Sequence, residues 1–90
     1  MSEITNPQDA ELEEVVLGAC LLESKAITLV ADILRPEVFY TETNREIYAV
    51  LQGMYMRQVI DIMTIKEELA RHGKLEFIGG LYTLVRISHA

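Results

Sequence analysis

The sequence predicts an all-α protein, a compact orthogonal bundle of about five helices that forms one domain over residues 1–90. Apolar residues recur at intervals of three and four along most of the chain, the spacing of an amphipathic helix. Ser, Thr and Asn residues stand at helix-start positions, and Pro and Gly at helix-end positions. One alternating segment, 57–63, imitates a strand, but no second such segment could pair with it.

The first helix is predicted from Asn6 to about Leu22. Asn6 is a good N-cap, and Pro7 suits the first helical turn. Glu11 and Glu14 are predicted to point toward water. The apolar residues that we expect to face the core are Leu12, Val15, Val16, Ala19 and Leu22.

A second helix is predicted to begin with Ser24 as its N-cap and to be mostly buried. It should end near Leu34, because Pro36 disfavours helical geometry in the residue before it. A single helical turn is expected after this proline. Within that turn, Phe39 is the best candidate for the core, whereas Tyr40 should keep its hydroxyl near water.

Two capping boxes predict the third and fourth helices. Thr43 with Glu46 would open the third, and Thr64 with Glu67 would open the fourth. Residues 57–63 between these helices are predicted to be an extended connection. The third helix has four apolar residues at core spacing, namely Ile47, Val50, Leu51 and Met54.

Glycines divide the last part of the chain. Gly73 is predicted to end the fourth helix as its C′ residue. Residues 75–78 are predicted to be an apolar loop that leads to a turn at Gly79-Gly80. A last helix is expected from Leu81 through Ile87.

The charge distribution argues against a nucleic-acid-binding surface at the start of the chain. The net charge is −6, and six acidic residues precede the first base, Lys25. Nonspecific nucleic-acid affinity comes mainly from clustered Lys and Arg. No secretory signal or membrane-spanning stretch is visible. The lone Cys20 lies in an apolar helical pattern and is predicted to be buried and reduced, so we expect a cytoplasmic protein.

No catalytic, cofactor-binding or metal-binding residue is predicted. Gly73-Lys74 is followed by Leu75 and belongs to no nucleotide-binding P-loop motif, so this chain should not hydrolyse ATP. His72, His89 and Cys20 lack metal-ligand spacing. His72, in the last turn of the fourth helix, is expected to be a surface group that the helix dipole tolerates.

Four aromatic residues are candidates for contacting a partner protein, since aromatic side chains dominate binding hot spots. They are Tyr48, Tyr55, Phe77 and Tyr82. Packing within or at the edge of the core is the alternative for all four.

Several segments share their order and spacing with one known family. They are Glu13 to Ala19 followed by Leu22-Glu23, Leu34 to Tyr40, Ile47-Tyr48, Asp61 to Thr64, Glu68-Leu69, Gly73, Leu75, and Gly79-Gly80 before Tyr82. Across nearly the whole chain, the sequence resembles the N-terminal domain of DnaB-type replicative DNA helicases. Asn44 departs from the histidine common in that family, and residues 57–59 lack its usual glycine.

The resemblance implies a non-catalytic domain in the collar of a hexameric helicase that acts during DNA replication. In that family the N-terminal domains associate with one another and receive the C-terminal helicase-binding domain of primase. A helicase loader is a further candidate partner. ATP, Mg²⁺ and most DNA contacts belong to a later RecA-like motor domain. The resemblance also implies that a helical hairpin and a linker follow, so this chain is expected to be a fragment.

Two alternatives stay open. One is a helix-turn-helix DNA-binding module formed by residues 64–72 and the helix after Gly80, although that helix offers only Thr83 and Arg86 as groove contacts. The other is a free-standing helicase accessory protein of the same fold.

Overall fold

The computed structural model describes residues 7–57 and 60–90, with the side chains of residues 7–9 left out of the description. Within these ranges all regular structure is helical, which confirms the predicted all-α class, with six α-helices and one 3₁₀ turn. The radius of gyration is 12.3 Å, close to the value of about 12 Å for a compact domain of this length. The elements are α1 (Pro7–Leu22), α2 (Ser24–Val30), the 3₁₀ turn (Pro36–Val38), α3 (Glu42–Met54), α4 (Ile62–Arg71), α5 (Leu75–Ile78) and α6 (Gly80–Ser88).

Helix α3 lies at the centre of the bundle. It packs against α1, the 3₁₀ turn, α4 and α5, while α6 packs against α1, α4 and α5. Every residue expected to bury from α3 does so, and Phe39 from the 3₁₀ segment joins them. The fully buried aliphatic core consists of Leu17, Ile27, Ile47, Leu51, Met54, Ile65, Leu69, Leu84 and Ile87.

Helix α1 has the predicted bounds from Pro7 to Leu22, and the N-cap expected at Asn6 lies outside the described residues. The predicted core face of this helix is wrong. Val16 is half-buried, and the other predicted residues, Leu12, Val15, Ala19 and Leu22, are exposed. The buried residues are instead Leu17, Gly18, Cys20 and Leu21. Apolar residues occupy most of the helix circumference, so either stripe could have faced the core, and packing against α6 and α3 selects the second.

Helix α2 is shorter and less buried than predicted. Glu23 occupies the N-cap position and Ser24 is the first helical residue. The helix ends at Val30, and residues 31–33 form a turn. Leu29 and Ile33 are both more than three-quarters exposed, so the expectation of a mostly buried helix is wrong.

Side chains from α3 hold the turn that follows α2. The Tyr48 hydroxyl donates to the carbonyl oxygen of Leu34 at 2.7 Å. The Gln52 amide donates to the carbonyl oxygen of Ala31 at 2.8 Å. These bonds satisfy backbone carbonyls that a longer helix would have paired internally.

Both N-caps lie closer to the N-terminus of the chain than predicted, and only α4 has a capping box. Thr41, two residues before the predicted Thr43, caps α3 by accepting from the Asn44 amide at 3.2 Å. Asp61 caps α4, and Thr64 is the N3 residue of its capping box. The Thr64 amide donates to the Asp61 carboxylate at 2.9 Å and the Asp61 amide to the Thr64 hydroxyl at 3.0 Å. Residues 62 and 63 are therefore helical rather than extended.

The glycine-rich end of the chain is confirmed as a series of turns, with one addition. Gly73 follows the C-cap of α4 with φ +71°, and Gly79 and Gly80 have φ +104° and +76°. All three lie in the left-handed region that favours glycine. Residues 75–78, predicted to be a loop, form the short helix α5.

Candidate functional site

Tyr48 lies in the core, because its side chain is 0% exposed. Its ring packs against Phe39 with 5.0 Å between ring centroids. Its hydroxyl donates to the carbonyl oxygen of Leu34 in the segment after α2. The aromatic stripe predicted on α3 is thus part of the core, and Tyr55, at the C-cap of that helix, also packs partly buried against the core.

Phe77 and Tyr82 are exposed, by 50% and 73% respectively. Phe77 lies on α5, where the Lys74 ammonium sits 5.5 Å from its ring centroid. Tyr82 lies on α6, next to two other exposed apolar residues. We call this stripe, formed by Leu81, Tyr82 and Val85, the α6 surface. The opposite side of α6 buries Leu84 and Ile87, so the α6 surface faces away from the core.

A second apolar surface was not predicted from the sequence. It is an open groove of about 240 Å³ between α1 and the segment from the end of the α2 turn to the 3₁₀ turn. Leu12 and Val38 form its exposed rims, at 63% and 60% exposure. We call it the α1 groove, and its lining residues are Leu12, Glu13, Val16, Leu34, Val38 and Phe39.

Glu13 joins this groove to α3. Its carboxylate accepts from the Tyr40 amide at 2.6 Å and from the Asn44 side-chain amide at 2.9 Å. Arg45 holds the same loop from the other side, since its guanidinium donates to the carbonyl oxygens of Phe39 and Tyr40 at 2.9 and 2.7 Å. Asn44 is buried, so the position that departs from the resembled family is a structural contact.

A cluster of charges around Glu68 connects α4 to the end of α3. The carboxylate of this nearly buried residue pairs with Arg71 at 2.7 Å, with His72 at 3.0 Å and with Arg57 at 3.5 Å. The hydrogen bond from His72, together with the two guanidinium groups, lowers the pKa of Glu68. His72 is half exposed, as predicted for a surface group, but its ring also contacts the Glu68 carboxylate in this charge cluster.

The Cys20 thiol and the Arg86 guanidinium are both engaged within the fold. In the part of the chain that the structure describes, no group of three or more His, Cys, Asp and Glu residues could hold a metal ion. Burial raises the pKa of the Cys20 thiol, which disfavours the reactive thiolate. Arg86, the one base on α6, donates to both Glu14 carboxylate oxygens, at 2.9 and 3.2 Å. In the helix-turn-helix alternative, α6 would enter the DNA groove, and it has no free base to contact the DNA there. None of the described helices is long and apolar enough to cross a membrane.

Comparisons with known proteins agree with this description. A sequence model described as the DnaB-like helicase N terminal domain matches residues 5–90. The replicative DNA helicase DnaB of Rhodothermus marinus is 42% identical over 74 residues, which cover 81% of this chain and 8% of that protein. The replicative DNA helicase DnaB of Geobacillus stearothermophilus is 37% identical over 90 residues, 99% of this chain and 20% of that protein. The chain therefore spans a fifth or less of the length of these relatives.

A solved structure has the same fold. The crystal structure of the N-terminal domain of DnaB helicase from Mycobacterium tuberculosis matches with a TM-score of 0.87 and 36% sequence identity, covering 94% of this chain and 62% of that one. The resemblance noted in the separate sequence segments is thereby confirmed, and so is the fold that it implied. The chain belongs to the family of DnaB-like helicase N-terminal domains.

Proposed function

We propose that this chain is a non-catalytic interaction domain of a replicative helicase, which supports assembly of the ring's collar and docks the C-terminal domain of primase. The observation that carries the proposal is the α6 surface. Leu81, Tyr82 and Val85 form a solvent-exposed apolar stripe on α6, and the other side of this helix is buried.

The α6 surface has the composition of a binding site. Tyrosine is enriched among the residues that dominate binding energy, because it combines a large apolar ring with a polar tip. Leu81 and Val85 are four residues apart, so their side chains are neighbours on the helix surface and border the more exposed Tyr82. Phe77 on the adjacent α5 is a further contact candidate. Tyr55 is a weaker one, because it already packs against the core.

The chemistry of unwinding would lie elsewhere in a longer protein. In this proposal ATP and Mg²⁺ bind to a separate motor domain, and DNA is contacted mainly by that domain. The present domain contributes only protein contacts, to its neighbours in a hexameric ring, to primase and to a helicase loader. Its acidic balance, −6 over the chain, suits protein docking better than contact with phosphate.

The test is a calorimetric titration of the chain with the C-terminal domain of primase from the same organism. Tyr82→Ala should weaken binding about tenfold or more, as expected for an aromatic hot spot. Leu29→Ala is the matched control, since Leu29 is equally solvent-exposed on α2 and should leave binding unchanged. Sedimentation velocity of the same samples reports self-association. Absence of primase binding together with a monomer at every concentration would contradict the proposal.

A further inference from the structure

We propose that the α1 groove is a second docking site, which receives an amphipathic helix from a protein partner that places a Lys or Arg beside Glu13. The inference rests on the proposed function, in that it takes the domain to be an interaction module. It adds a surface separate from the α6 surface and the chemistry of the partner segment.

The size of the groove favours protein side chains over a small molecule. Its volume is about 240 Å³, whereas pockets for drug-sized ligands span about 300–1,000 Å³. It is open to solvent, with the two rim residues Leu12 and Val38 more than half exposed. An open apolar trough of this kind accommodates one or two large side chains that project from a segment lying across it.

The carboxylate of Glu13 supplies the charge complementarity. Both hydrogen bonds that it accepts come from neutral donors, the Tyr40 amide and the Asn44 side chain. Among the described residues no base lies within ion-pair distance of it, and the nearby Arg45 donates from Nε and Nη2 to backbone carbonyls instead. A negative charge that lines an apolar groove without a counter-ion is best compensated by a cation from the occupant.

Helical geometry fits this groove better than an extended strand. One wall is a helix, with Leu12 and Val16 one turn apart, so a second helix can pack its own ridge of side chains alongside. A segment bound by strand addition would need a sheet edge to pair its backbone amides and carbonyls. The residues that the structure describes contain no strand to provide one.

A second copy of this chain is a poor occupant. Two α1 helices packed against each other through this groove would bring the Glu13 carboxylate of each copy toward that of the other. The first twenty-four residues contain no base to offset that repulsion. A partner helix with flanking Lys or Arg would instead be attracted electrostatically by the acidic residues of α1.

The groove and the α6 surface lie on different flanks of the bundle. Helix α1 uses Glu14 and Gly18 on the side of α6, where Glu14 pairs with Arg86 and Gly18 approaches Ile87. It uses Leu12 and Val16 on the side of the groove. Substitutions on one surface are therefore controls for the other.

The test uses a fluorescein-labelled peptide of about 16 residues, about 24 Å long as a helix, with Leu at heptad core positions and Lys at the flanks. Its binding to the chain is followed by fluorescence anisotropy. A charge-reversed peptide with Glu in place of each Lys is compared. The Lys peptide should bind, the Glu peptide should bind at least about tenfold more weakly, and added salt should narrow that difference.

Three variants locate the bound peptide. Leu12→Ser and Val38→Ser remove exposed apolar rims without changing charge, and each should weaken binding about tenfold. Glu13→Gln keeps an oxygen acceptor for the Tyr40 amide but removes the charge, and should abolish the preference for Lys over Glu. Tyr82→Ala is the matched control and should bind as the parent does. Circular dichroism verifies the fold of each variant.

Three results would overturn the inference: equal binding of both peptides, no binding of the Lys peptide, or loss of binding in Tyr82→Ala but not in Leu12→Ser. A dimer that Val38→Ser dissociates would assign the groove to a second copy and would equally overturn it. The primase titration separates this inference from the proposed function. Leu12→Ser and Val38→Ser should leave the affinity for primase unchanged if primase docks on the α6 surface.

Discussion

Replacing Gly18 by alanine tests a close contact between helices α1 and α6. A Cβ added at Gly18 would overlap the carbonyl oxygen of Ile87 and lie 3.5 Å from its carbonyl carbon and 3.6 Å from the Cα of Ser88. These are backbone atoms of α6, so no side-chain rotation can relieve the overlap. The two helices must separate along an extensively packed interface of the domain.

The expected cost follows from two opposing effects. Overpacking of a well-packed interface costs about 1–3 kcal/mol, and a clash with backbone belongs at the upper end of that range. Alanine in place of glycine within a helix returns about 1 kcal/mol. Gly18→Ala should therefore lower the free energy of unfolding by about 2 kcal/mol, which for a domain of this size lowers the melting temperature by about 8–16 °C.

Gly53→Ala is the matched control, because Gly53 is also helical but a Cβ there would meet no atom within 4 Å. It should raise the free energy of unfolding by about 0.5–1 kcal/mol through helix propensity alone. Urea and thermal unfolding followed by far-UV circular dichroism measure both variants. A Gly18→Ala protein as stable as the parent would refute the close-approach argument, and so would equal destabilisation by both substitutions.

Two further substitutions probe the polar ties of the fold. Because the pKa of Glu68 is lowered, its stabilising effect is present above the ordinary glutamate pKa of about 4.3 and is lost as the pH falls through the lowered value. Glu68→Gln should therefore reduce the free energy of unfolding at neutral pH and flatten the acid limb of a stability-against-pH curve. The control Glu67→Gln should change neither. An unaltered acid limb in Glu68→Gln would contradict a stabilising role for the charge cluster around Glu68. Tyr48→Phe removes the donor to the Leu34 carbonyl and should cost about 1 kcal/mol in urea unfolding without affecting primase binding; weakened primase binding with normal stability would restore Tyr48 as a contact residue.

The sequence patterns were most reliable where one physical effect dominated. Pro7 and Gly73 were predicted to bound helices, and each does so, because proline and glycine act through their own backbone geometry. All four apolar residues that were predicted to face the core from α3 are buried, since this helix is apolar on a single face. In these places no distant contact was needed to decide between alternatives.

Predictions failed where several local solutions had similar energies. Thr41 and Thr43 both carry a hydroxyl suited to capping α3, and only the path of the chain after the 3₁₀ turn decides for Thr41. At α4, Asp61 and Thr64 were likewise both suited to the N-cap position, and in the structure Asp61 is the N-cap while Thr64 completes the capping box as its N3 residue. Competing caps within one turn cannot be ranked from spacing alone, because their side chains offer equivalent acceptors.

Of the two candidate surfaces, a residue of the α6 surface was identified from the sequence, whereas the α1 groove was not. Tyr82 was identified because an aromatic residue on an amphipathic helix is a plausible contact, and the structure leaves it exposed. The α1 groove was missed because it joins Leu12 to Val38, residues from two segments that only the fold brings together. Its one sequence signal was that α1 carries apolar residues around most of its circumference, more than a single core face requires.

The burial of Cys20 gives the domain a built-in reporter of its own opening. This is the only cysteine in the chain, and its side chain is 1% exposed within the core. A thiol reagent can reach the sulfur only when α1 detaches from its neighbours, so the alkylation rate measures how often that happens in native buffer. Labelling kinetics would thus time the loosening of α1 without denaturant, and a partner bound to this helix would slow the reaction.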